Sequence, residues 1–272
     1  MVYWKLDDSK SKLIKCDPCS ETELKTPNNI TVIGREAFIN CQNLEYLTIQ
    51  DGVTHIEEFA FYDLDKLKSV YIPNTVISIG KKVFGKCKSL LKLNIPDSVI
   101  FIGEGAFTQC KKLKEINLSN NITIIEDNLF SYCESLEKIN IPDSVTSIGT
   151  NAFLNCRSLK SIEIPHVKKI KDYAFEGCIA LKSVTARTQA EVGEDVFKGC
   201  DEEKIDLSLI DEPQVEDQPP AFDDPNYTVK ENTSNNDGGK RKSKKKSKKT
   251  SAKKSKRTKK NSKKKRKSHK KD

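Results

Sequence analysis

The sequence predicts a solenoid of about eight coils, each 22–23 residues long, stacked into a rod and followed by a disordered tail. Three observations predict it. Phe recurs at 38, 61, 84, 107, 130, 153, 175 and 197. Apolar residues keep step with that Phe at fixed offsets. Beyond residue 211 the composition turns polar and then strongly basic.

Each coil reads the same way in chain order. Five residues before Phe stands Ile33, Ile56, Ile79, Ile102, Ile125, Ile148, Ile170 or Val192. Gly34, Gly80, Gly103, Gly149 and Gly193 follow and mark a turn. Three residues after Phe stands Cys in seven coils (Cys41, Cys87, Cys110, Cys133, Cys156, Cys178 and Cys200) and Leu64 in the second. Six after Phe comes Leu, from Leu44 to Leu181. Apolar residues return nine and eleven after, as in Leu47 and Ile49. That closing alternation suits a short strand with one face buried. Pro73, Pro96, Pro142 and Pro165 end the strand, since Pro has no N–H for a ladder. One coil cannot bury its own apolar face, but stacked coils cover one another. At a strand spacing of about 4.8 Å, eight coils make a rod roughly 40 Å long.

Four regions follow. Residues 1–29 form an N-terminal cap, in which Leu24 and Pro27 match the end of a degenerate repeat. Residues 30–210 form the solenoid, with Ile205, Leu207, Leu209 and Ile210 offering a closing strand. Residues 211–239 are an acidic and polar disordered linker, and residues 240–272 a disordered lysine-rich tail.

The repeat resembles that of the BspA-like, or treponemal-type, leucine-rich-repeat family. The family pattern is close to Ile141–Leu159, IPDSVTSIGTNAFLNCRSL, and the match recurs eight times over about residues 24–200. The resemblance implies an α/β-type fold: a right-handed leucine-rich-repeat superhelix, its parallel sheet on the concave side, with turns or short helical pieces outside. It also implies interaction work, with bacterial members resembling cell-surface adhesins.

The net charge of +9 is the sum of opposed parts. Residues 240–272 hold 21 Lys and Arg against one acid; residues 1–239 hold 27 bases against 38 acids. No run approaches the roughly 18 apolar residues of a membrane span. The N-terminus lacks the layout of a signal peptide. The expectation is a monomer in the nucleus or cytoplasm, with the cell surface as the alternative.

Chemistry-bearing residues are sparse. The cysteine column reads as a line of small buried side chains, because equivalent side chains in neighbouring coils point the same way and not at each other. Cys16 and Cys19 form a CxxC outside the repeat, half of a zinc site at most. The bland reading makes them two cap residues, and a local redox pair is the alternative. His55, His166 and His269 are far apart, and no catalytic set or phosphate loop stands out. No enzyme, metal or cofactor is expected.

Binding surfaces remain. The outward strand positions are Tyr46 and Thr48, Ser69 and Tyr71, Lys92 and Asn94, Glu115 and Asn117, Lys138 and Asn140. Exposed Tyr anchors protein contacts at low entropy cost. The face is therefore either a protein-binding patch or a plain polar surface with an Asn ladder that stiffens the sheet. In the tail, Lys244, Lys245, Lys246, Lys253, Lys254, Lys256, Arg257, Lys263, Lys264, Lys265, Arg266 and Lys267 can meet an anionic partner: non-specific nucleic acid, an import receptor or anionic lipid. With no aromatic residue the tail cannot stack bases, so it carries no base reading. The function expected is a protein-binding scaffold with a polybasic targeting tail; the alternative is a surface adhesin.

Overall fold

A computed structural model describes residues 2–201, and its regular elements are all short β-strands. Eight coils stack on one another as the Phe spacing predicts. Every coil contributes two strands, one to each of two parallel ladders, and each ladder is broken along the stack into shorter hydrogen-bonded sheets. The expected ladder uses three-residue strands: Glu23–Lys25, Tyr46–Thr48, Ser69–Tyr71, Lys92–Asn94, Glu115–Asn117, Ser161–Glu163 and Ser183–Thr185, with Lys138–Ile139 one residue shorter. Its register is that of the repeat, Leu24 beside Leu47 beside Val70, and Asn94 beside Asn117.

The expected turns lie on the other side, but among the described residues they carry no helical piece, and a second, unexpected ladder runs beside them. Two-residue strands run through Val32–Ile33, His55–Ile56, Ser78–Ile79 and Phe101–Ile102, then Ile124–Ile125, Ser147–Ile148, Lys169–Ile170 and Glu191–Val192. The Ile five before Phe is the inward residue of this ladder in the first seven coils, whereas Val192 in the last coil is exposed. The glycine beside it is required where coils approach closely. A Cβ on Gly103 would lie 2.6 Å from the Lys81 nitrogen of the preceding coil.

Between the ladders the chain makes tight turns that are also stitched across coils. The residue two before Phe has positive φ in all eight coils, from Glu36 and Phe59 to Tyr173 and Asp195. A single left-handed residue reverses the chain locally. Two residues on, the N–H of Phe38 donates to the Ala60 carbonyl at 3.0 Å, and that of Phe84 to Ala106 at 2.8 Å. The corner after the Pro residues is stitched by hydroxyls. Ser98 Oγ donates to the Val76 carbonyl at 2.7 Å and Ser144 Oγ to the Ile122 carbonyl at 2.6 Å.

The core is one continuous column. Rings from Phe61 to Phe197 stack in order, with neighbouring centroids 5.1–5.7 Å apart. Phe38 continues the column at a tilt, 4.9 Å from Phe61. Burying each such ring stabilises the fold by about 1.5–3 kcal/mol. Beside the rings runs the thiol column. Cys87, Cys110, Cys133, Cys156, Cys178 and Cys200 each donate to the carbonyl of the preceding coil's Phe, at 3.1–3.2 Å.

The N-terminal cap is a modified coil. Strand Lys12–Cys16 pairs parallel with Val32–Ile33, and strand Trp4–Leu6 pairs antiparallel with it, placing Trp4 opposite Cys16. The Cys16 N–H donates to the Ala37 carbonyl, the same stitch that each Phe makes. Cys16 therefore stands where a Phe would stand, 22 residues before Phe38. Cys19 stands in the thiol column, 22 before Cys41. The closing strand expected at Ile205–Ile210, the linker and the tail lie outside the described residues.

Candidate interaction face and cysteine cluster

The outward positions of the three-residue ladder form two columns. One runs Tyr46, Ser69, Lys92, Glu115, Lys138; the other Thr48, Tyr71, Asn94, Asn117, Asn140. Strand register sets Tyr46 beside Ser69 and Thr48 beside Tyr71 in one sheet, and Lys92, Glu115 and Lys138, with Asn94 beside Asn117, in the next sheet along the stack, with Asn140 one residue past its strand. Tyr46 and Tyr71 are 45% and 59% exposed, which leaves part of each side chain open to a partner.

The first column is tied internally. Lys68 pairs with Glu45 at 2.7 Å and lies over the Tyr46 ring, 5.8 Å from its centroid. Lys92 pairs with Glu115 at 2.7 Å. The hydrogen bond from Lys92 and its charge, with that of Lys138, hold the Glu115 carboxyl below the usual carboxylate range. These pairs are solvated and contribute little to stability.

The second column is not tied. Among the described residues the carboxamides of Asn94, Asn117 and Asn140 make no side-chain hydrogen bond. No amide ladder joins them, so the stiffening alternative does not apply. Each offers a free donor and a free acceptor. Next to them the Pro corners leave two clefts that share Asn120. One, of about 480 Å³, is lined by Asn74, Asn94, Pro96, Asp97 and Asn117 among others. The second, of about 280 Å³, includes Asn140, Asp143, Glu163 and Arg187.

Sequence reasoning missed the cysteine arrangement. Cys19 and Cys41 are joined by a disulfide, their Cα atoms 4.9 Å apart. This corrects two expectations. Cys41 is not a free member of the thiol column, and Cys19 pairs with Cys41 and not with Cys16, so the local Cys16–Cys19 redox pair is not formed; both do lie in the cap. Cys16 is fully buried, and its thiol is pushed up to about 12 by burial, with the charges of Glu21 and Asp17 adding to it. Cys19 is partly buried against the core. The three Sγ atoms lie within 4.8 Å of one another. With two of them joined, one thiol is left, short of the four ligands of a structural zinc. The signal was present in the 22-residue spacings, which place Cys19 in register with Cys41.

The other sequence candidates stay apart. His55 shares a hydrogen bond with Thr54 at the solvent side, and His166 lies in another coil. The tail lysines and arginines lie outside the described residues. No helix among the described residues is long and apolar enough to cross a membrane.

The family model described as BspA type leucine rich repeat region matches residues 15–99 and 77–204, in six copies. Among solved structures, a leucine rich cell surface protein from Faecalibacterium prausnitzii is 24% identical, covering 74% of this chain and 74% of that one, with a TM-score of 0.50. A leucine rich repeat protein from T. pallidum is 24% identical, covering 73% of this chain and 86% of that one, with a TM-score of 0.51. At that identity they bear on the fold alone. No curated protein sequence matches the chain.

Proposed function

The chain belongs to the BspA-type leucine-rich-repeat family, and on that premise we propose that it is a non-enzymatic scaffold of the cell surface that binds a protein on its three-residue ladder face. One observation carries the binding half. Tyr71, Asn94, Asn117 and Asn140 form an exposed column whose amides are unpaired within the described residues. A partner can satisfy those amides without breaking any bond already made, and Tyr46 and Tyr71 supply apolar area at one end.

The Cys19–Cys41 disulfide supports the surface location, because structural disulfides persist in oxidising surroundings and are rare in the cytosol. The Faecalibacterium protein, described as a cell surface protein, accords with it. In this setting the lysine-rich tail grips anionic lipid or sulfated glycans through charge. The test is antibody labelling of a tagged full chain on intact and on permeabilised cells. Labelling of intact cells is expected; signal confined to the nucleus of permeabilised cells contradicts the surface location.

A second reading is favoured by the 21 Lys and Arg between Lys240 and Asp272. In it the same face binds a protein inside the cell, and the tail delivers the scaffold to the nucleus. The same labelling separates the two.

A further inference from the structure

Cys16, Cys19 and Cys41 meet at the N-terminal end of the stack, and the scaffold function uses none of them. Three sulfurs within 4.8 Å of one another share a single disulfide. Cys16 therefore has two possible partners within reach, and Cys19 and Cys41 each have one besides the present bond. Access differs among them: Cys16 and Cys41 are fully buried, and Cys19 is open in part.

Cys16 is also the anomalous residue of the repeat. It occupies the Phe place of the cap coil, yet the stacking is done from the opposite strand by Trp4. The column thiols from Cys87 to Cys200 donate to a Phe carbonyl of the preceding coil. The Cys16 thiol makes no hydrogen bond among the described residues and has the disulfide beside it.

We propose that this cluster is a thiol–disulfide exchange site, in which Cys16 takes over the bond to Cys41 and releases Cys19 as a surface thiol. Cys16 gives its proton to water and its Sγ attacks Cys41 Sγ. The Cys16–Cys41 bond forms, the Cys19–Cys41 bond breaks, and the electron pair leaves on Cys19 Sγ. No electrons are gained or lost overall. The released Cys19 thiolate then attacks an external disulfide, forms a mixed disulfide with one half of it and expels the other half as a thiolate. The co-reactant is thus a disulfide-bearing small molecule or surface protein. Burial of Cys16 keeps the resting pairing in place, since only the thiolate attacks. Departure of Trp4 from the end of the stack admits water to Cys16 and starts the exchange.

The test uses the purified full chain and glutathione disulfide as probe, with disulfides mapped by mass spectrometry after alkylation of free thiols. In the wild type the expected result is one glutathione adduct, on Cys19, together with a Cys16–Cys41 bond. Cys16→Ser should lower adduct formation at least tenfold, because nothing then displaces Cys19. In Cys19→Ser, air oxidation should join Cys16 to Cys41. Equal adduct formation in wild type and Cys16→Ser, or free Cys16 and Cys41 in Cys19→Ser that melts as the wild type does, overturns the proposal. Three free thiols in the wild type after air oxidation overturn it too. None of these results bears on binding at the ladder face, which is read separately.

Discussion

Trp4 and Phe38 meet edge to face, with ring centroids 6.0 Å apart and planes at 64°. The contact ends the Phe column. An unfinished stack would leave the Phe38 face to water, as happens at any terminal coil that lacks a cap. Here a strand running the other way lays one large ring across the end. The fold thus closes its first coil with a residue 34 positions away from the ring it covers.

The column sets the first prediction. Phe107→Ala should cost about 3–5 kcal/mol, because it empties a site packed from both sides. Among the described residues Phe197 has one stacked neighbour, and it is only partly buried. Its replacement by Ala should cost clearly less, as should Trp4→Ala, which loses one edge contact. Denaturant melts of the three variants read this order directly, and equal losses would contradict a stack with ends.

The thiol column sets the second, through pH. Burial pushes Cys133 up to about 12 from its ordinary 9.0, and raises Cys87, Cys110 and Cys156 as well. In the unfolded chain these thiols ionise near 9 and in the fold they stay neutral. The fold therefore holds more protons above pH 9, so its stability is full below that pH and falls as pH rises toward 12. Near pH 10 each buried thiol should contribute a fall of about 1.2 kcal/mol per pH unit. Cys110→Ala with Cys133→Ala should then flatten the slope by about 2.4 kcal/mol per unit. Urea melts between pH 8 and pH 10.5 measure it; an unchanged slope would mean that these thiols are not buried neutral.

Much of this was legible in the sequence, and the rest was hidden for physical reasons. A ring, a thiol and a leucine at fixed offsets can only mean stacked coils, so the core was readable residue by residue. The outward columns followed from alternation along the strand. The second ladder was not readable, since two-residue strands such as His55–Ile56 are too short to show a period. The left-handed turn before each Phe was hidden as well. Glu36, Phe59, Lys82 and Tyr173 occupy it, and none of these residues signals positive φ. Cys16 was concealed by its chemistry. It holds a Phe place without being apolar and large, and only its 22-residue distance from Phe38 reveals it.

The tail sets the third prediction, from sequence. Deleting residues 240–272 should leave the melt of the repeat body unchanged, because the segment carries no apolar surface beyond Ala252. Binding to DNA, heparin-like glycans and anionic vesicles should be lost together. In the full chain that binding should weaken steeply with salt, as counterion release requires. A salt titration of both forms checks it. Retained binding in the truncated form would put the anion site on the repeats.

The ladder face is the centre of the account, and a photo-crosslinking residue tests it most directly. The residue is placed in the full chain at Asn117 in one variant and at Ile100, the exposed residue just before the Phe101–Ile102 strand of the other ladder, in another, and both are irradiated in living cells. Crosslinking of a defined protein partner at position 117, reduced at least tenfold by Tyr46→Ala with Tyr71→Ala and absent at position 100, is the result expected. The same partner at position 100, or crosslinking at 117 indifferent to the two tyrosines, would contradict binding by this face.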